Sequence, residues 1–248
     1  LLIASDANIS LRNTDTGQAV ASVDTQNIIR TNATGAHFAT IANGQLIIYD
    51  ARTGIEQQAW SLAQGDVIDI QIAPSGKEAL LRTASGELWL VREDTTAIIP
   101  LEIADVSPAF GMQFNAGGSL LMTLHAESAI LWETSPLSQV QRFPLGLPSD
   151  SDLSERVKVA FGESPNRVWF FVQLNDNIAG LTGFDLTNTD VNRQTFVDVV
   201  RGDLTDDGRY LLLALTDNSI QLIDTESGEI IRRLVGHSDS VNTMLYQP

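Results

Sequence analysis

The chain's three histidines, His37, His125 and His237, are of the residue type best suited to acid–base or metal chemistry near neutral pH. They stand far apart, and no HxH or HExxH spacing joins two of them on one face of an element. No GxSxG elbow and no GxxxxGK[ST] phosphate loop is present, and without cysteine there is no thiol nucleophile, thiolate ligand or disulfide. Two acidic clusters remain. Asp150, Asp152 and Glu155 begin as D-x-D but lack the third acidic position and the glycine of a calcium loop, and Asp203, Asp206 and Asp207 fit an ordinary turn. The expectation is therefore no catalytic residue, no cofactor and no metal.

Charge narrows the partners. Fifteen basic against 31 acidic residues give a net charge of -16, a field that repels phosphate backbones and anionic lipid headgroups. Lys77 and Lys158 are the only lysines, so no polybasic stretch offsets it, and nucleic acid is not expected as a partner. No apolar run nears the roughly 18 residues of a membrane span, which argues against direct membrane insertion. With 43% hydrophobic residues, 248 residues suffice for one core and one domain, 1–248. The absence of cysteine suits either redox compartment, so localisation stays open.

The elements that must position these side chains repeat. Tyr49-Asp50, Trp132-Glu133, Phe184-Asp185 and Ile223-Asp224 each end an apolar run with a large side chain and a carboxylate, and Arg12-Asn13 and Val91-Arg92 take the matching places in two further units. Five steps separate Asn13 from Asp224, about 42 residues each, the period of a four-stranded propeller blade. The apolar runs 46–49, 88–91, 168–172 and 211–213 are short and bounded by turn residues, which predicts buried strands and not helices. Gly17, Gly54 and Gly228, in TDTG, ARTG and TESG, mark one set of hairpin turns; PSG, NAGG, SPN and TDDG at 74–76, 115–118, 164–166 and 205–208 mark another. Each unit then reads as strands a, b, c and d, which in the last are 199–205, 210–215, 219–224 and 229–234. Trp89, Trp132 and Trp169 are expected between sheets, and Trp60, on an outer strand, is the candidate for exposure.

Leu234-Val235-Gly236-His237-Ser238-Asp239-Ser240-Val241 resembles the Gly-His segment that enters a blade in the WD40-repeat β-propeller family, here in a divergent, bacterial-type form. The resemblance implies an all-β, six-bladed β-propeller of four-stranded antiparallel blades. Its closure is expected from a C-terminal strand a joining N-terminal strands b, c and d, giving blades at 241–248 with 1–26, 27–65, 66–106, 107–150, 151–198 and 199–240. Six units of a longer array is the open alternative. The family's polar set of His, Ser or Thr, Asp and Trp places Asp six residues before Trp. That offset finds Asp6 and Asp217, but Asn43, Ser85, Ala126 and Ile178 in the other units, so only His237 and Asp6 are expected to meet, across the closure.

The resemblance and the missing chemistry together imply a non-enzymatic protein–protein interaction scaffold or sensor module of a larger protein, with a protein or peptide partner. Loops on a rigid scaffold carry recognition. The longest connection, 146–156, lies by this reading on the same face as the b–c turns, which makes Asp150, Asp152, Glu155, Asp176 and Asp217 the candidate binding residues. Two alternatives stay open. One is a propeller enzyme or small-ligand binder using the central channel, with Asp69 and Asp203 as candidates; the other is a secreted or cell-surface structural repeat, which few lysines and many Asn, Thr and Ser would suit.

Overall fold

The computed structural model describes residues 2–5, 8–13, 16–24, 29–32, 34–62, 67–95, 97–103, 106–145, 156–162, 166–175, 177–187, 191–205, 207–241 and 243–244. The chain forms two compact units, Leu1–Leu147 and Pro148–Pro248. The first holds four antiparallel sheets of sequential strands: β1 (Leu2–Ser5), β2 (Asn8–Arg12) and β3 (Ala19–Asp24); β4 (Ile29–Thr31), β5 (His37–Ala42), β6 (Gln45–Asp50) and β7 (Glu56–Ser61); β8 (Val67–Ile72), β9 (Glu78–Thr83), β10 (Leu88–Arg92) and β11 (Ile99–Pro100); and β12 (Gly111–Phe114), β13 (Leu120–Leu124), β14 (Ser128–Thr134) and β15 (Leu137–Pro144). The second holds two: β16 (Val157–Phe161), β17 (Arg167–Asn175), β18 (Ile178–Asp185) and β19 (Val191–Val197); and β20 (Val199–Leu204), β21 (Tyr210–Leu215), β22 (Ile220–Asp224) and β23 (Ile230–Leu234).

The short apolar runs are strands because both of their faces are covered. Along β9, Ala79 and Leu81 face the second sheet while Leu80 faces the fourth, and on β10 Val91 and Leu90 divide the same way. These side chains are fully buried, each worth about 1.5–3 kcal/mol for the larger ones. First strands lie beside first strands, β8 against β4 and β12, and β20 against β16. In the second unit Trp169, Phe171 and Leu181 meet Val199, Leu211 and Leu213. The fit is tight where Phe171 lies on Gly202, since a Cβ there would stand 2.1 Å from the ring's Cζ.

The recurring carboxylate after strand c closes the c–d turn. Asp50 Oδ1 accepts from the Thr53 amide at 2.7 Å and the Thr53 hydroxyl at 2.8 Å, and Asp224 Oδ1 accepts from the Ser227 amide at 2.9 Å and hydroxyl at 3.0 Å. The Thr53 hydroxyl above all holds the Asp50 carboxyl below its ordinary range, and the Ser227 amide does so for Asp224. Gly54, one residue beyond Thr53, takes the positive φ of 71° that the turn demands.

The structure departs from the sequence reading at Trp60, and two sheets show fewer or shorter strands than the rest. Among the described residues the first sheet shows three strands. Residues 241, 243 and 244 carry no strand, while 242 and 245–248, from the segment assigned to its strand a, lie outside the described residues, as does Asp6 and with it the expected His237–Asp6 contact. The outer strand of the third sheet is only Ile99–Pro100. Trp60 is buried: its indole covers the core between the second and third sheets, and Nε1 donates to the carbonyls of Arg92 at 3.0 Å and Thr95 at 3.1 Å, in the turn that leads to the shortened strand.

His125 is a buried structural group. Trp132 Nε1 donates to Thr123 Oγ1 at 3.1 Å, leaving the hydroxyl proton for His125 Nε2, also at 3.1 Å. Nδ1 then carries the ring proton and donates to the Ser107 carbonyl at 2.8 Å. Burial pushes the His125 pKa below its ordinary 6.5.

Two predictions follow from this packing. Gly202→Val forces the Phe171 ring out of place and lowers the unfolding free energy by about 1–3 kcal/mol, read from urea unfolding. Because folded His125 resists protonation while unfolded His125 does not, stability is greatest above about pH 6.5 and falls as pH drops through it, by at most about 1.4 kcal/mol per unit. Urea unfolding at about pH 7.5 and about pH 5.5 measures this, and His125→Gln flattens that part of the pH dependence.

Candidate functional site

Within the second unit a groove of about 430 Å³ opens between the fifth and sixth sheets. Phe196, Leu213 and Leu215 form its floor, with Val197 and Asp198 on one lip and Thr216 and Asp217 on the other. Its openness follows from chain connectivity. β19 passes to β20 through the single residue Asp198, which takes a φ of 58° and whose carbonyl accepts from the Thr216 amide at 2.9 Å, tying one lip to the other. Between the third and fourth sheets the corresponding connection runs from 101 to 110 and lays Leu101, Ile103 and Val106 onto the core, and a smaller open pocket of about 250 Å³ lies beside His125.

Aliphatic side chains crowd the same end of the unit. Leu174 is 58% exposed, Val197 65% and Val200 42%. Gln173 Nε2 holds this corner together, donating to the carbonyls of Asn175 at 2.7 Å and Val199 at 2.9 Å. Val200 is turned outward where the β20–β21 register shifts between Val199 and Arg201.

The charges around the groove are unevenly satisfied. Asp217 Oδ1 accepts from the Ser219 hydroxyl at 2.5 Å and the Ser219 amide at 3.0 Å, and its Oδ2 pairs with the Arg233 guanidinium. The Ser219 hydroxyl, then its amide, hold the Asp217 carboxyl below its ordinary value. Among the described residues, no hydrogen bond or ion pair engages the exposed Asp198 carboxylate. The groove therefore keeps one uncompensated negative charge after Asp217 and Arg233 have neutralised each other.

Of the residues singled out in the sequence, Asp217 lies at this groove, whereas Asp150, Asp152, Glu155 and Asp176 lie outside the described residues. His237 is exposed beyond β23. Asp69, on β8, accepts from Arg30 Nε at 2.9 Å and stands 3.7 Å from Arg82, while Asp203 lies on β20. No three His, Asp or Glu side chains gather at metal-ligand spacing among the described residues. Sequence reasoning missed Leu174, Val197, Asp198 and Arg233. The available signal was Thr195-Phe196-Val197-Asp198-Val199-Val200, two apolar runs with only one residue for a connection.

No protein-family model matches the chain, and no curated protein sequence matches it. Its architecture is similar to the crystal structure of the β-propeller domain of Myceliophteria thermophila Cps50 (Swd1), with a TM-score of 0.65 over 95% of this chain and 81% of that one, at 11% identity. At that identity the likeness is one of fold, and the fold is a β-propeller whose blades are the six antiparallel sheets.

Proposed function

We propose that this chain is a WD40-type β-propeller acting as a non-enzymatic binding scaffold or sensor, which holds a protein or peptide partner on the face formed by the b–c turns and the connections between sheets. The observation that carries this reading is the open groove between the fifth and sixth sheets, lined by exposed Val197, with Leu174 and Val200 exposed at neighbouring strand ends. Aliphatic side chains grouped beside a concave surface are poorly solvated, and such patches mark recognition surfaces. The acidic lip at Asp198 and Asp217 suits the role expected of this face, with the acidic groups placed at a b–c turn and at a one-residue connection.

The reading is tested by chemical cross-linking and capture from the source cells, comparing the wild-type chain with Leu174→Glu/Val197→Glu and with Val140→Glu, whose aliphatic side chain is exposed on β15 in the other unit. The expected result is a partner retained by the wild type and by Val140→Glu but reduced about tenfold or more by the double substitution, a loss of about 1.4 kcal/mol. Unchanged melting temperatures establish that all three chains are folded. Equal retention of the same partners by the double variant overturns the reading.

A further inference from the structure

We propose that the groove between the fifth and sixth sheets takes an extended peptide segment carrying an aliphatic side chain two residues from a lysine or arginine. This assignment rests on the reading that this face holds the partner, and adds the partner's chemistry. The volume, about 430 Å³, lies within the roughly 300–1,000 Å³ of sites that enclose part of a ligand. The apolar surface does not end at the groove, however. Buried Leu213, half-buried Phe196 and Leu215 and exposed Val197 line it, and Leu174 and Val200 are exposed at neighbouring strand ends, so a ligand that reaches them all is long and bears more than one apolar group. An extended chain with alternating side chains has that form.

Charge selects the second feature. Arg233 is the cation of the groove, and Asp217 pairs with it, so an acidic partner finds no free positive charge there. Asp198 stands on the opposite lip beside Val197, with no hydrogen bond or ion pair on its carboxylate among the described residues. A cationic side chain two residues from an aliphatic one projects from the same face of an extended peptide, so it reaches Asp198 while the aliphatic group enters the apolar floor. The chain's net charge of -16 favours the approach of the same partner from a distance.

Three fluorescein-labelled peptides test this by fluorescence polarisation: Ala-Leu-Ala-Arg-Ala-Leu-Ala, its counterpart with the arginine replaced by glutamate, and its counterpart with both leucines replaced by serine. The expected result is saturable binding of the first alone, weakened about tenfold by Asp198→Asn, which removes the charge and suits the left-handed backbone, and weakened by added salt. Binding of the first peptide no tighter than the other two, or unchanged by Asp198→Asn, overturns the proposal. Equal binding of the arginine and glutamate peptides that is lost in Leu174→Glu/Val197→Glu removes the charge selection while leaving this face as the docking surface. Binding of the arginine peptide that survives both the double substitution and Asp198→Asn removes the face as well.

Discussion

A sheet whose two faces are both apolar cannot stand at a surface, and that constraint governs most of this molecule. β9 alternates Ala79 and Leu81 toward one neighbour with Leu80 toward the other, and all three are fully buried. The same demand sets Phe171 against Gly202, because the distance between the fifth and sixth sheets leaves no room for a side chain under the ring. Close packing of this kind transmits errors of a single methyl group, so the small residues are as much a part of the core as the large ones.

Polar groups drawn into these layers must find partners inside them. In the fourth sheet the indole of Trp132, the hydroxyl of Thr123 and the imidazole of His125 pass donor to acceptor in one direction, ending on the Ser107 carbonyl. Desolvation favours neutral His125, and the chain of donors fixes its tautomer, so a histidine that invites a catalytic reading in the sequence is here a joint between a strand and the connection that precedes it. At the strand ends the carboxylates of Asp50, Asp185 and Asp224 collect amide and hydroxyl donors from the turns that follow.

These regularities explain which parts were legible in the sequence. The carboxylate after strand c and the glycines of the turns recur because backbone geometry repeats, and the strands of the last sheet, β20 to β23, follow the order and nearly the limits read from those signals. Trp60 was misread because its position on an outer strand says nothing about the neighbouring sheet, where β11 shortens to two residues and the indole finds carbonyls to bond. The groove was hidden for a related reason. Asp217 was recognisable as a b–c turn residue, but Asp198 and Val197 become surface features only through the absence of a connection, and no residue type in itself encodes a missing cover. Four of the acidic positions favoured from the sequence, Asp150, Asp152, Glu155 and Asp176, lie outside the described residues, and the open groove is lined by other side chains together with Asp217.

The same short connection that opens the groove also stiffens it. Asp198 is bracketed by β19 and β20, its carbonyl is bonded to Thr216, and the neighbouring Val199 amide donates to Asn177 at 3.2 Å, so the acidic lip is anchored on three strands' ends. Across from it, Ser219 and Arg233 fix the Asp217 carboxylate. A preformed surface of this kind loses little conformational freedom on binding, which lets a small contact area reach useful affinity. The longer connection between the third and fourth sheets instead lays Leu101, Ile103 and Val106 onto the core. The one-residue link between β19 and β20 lays no apolar side chains of its own over the core in this way.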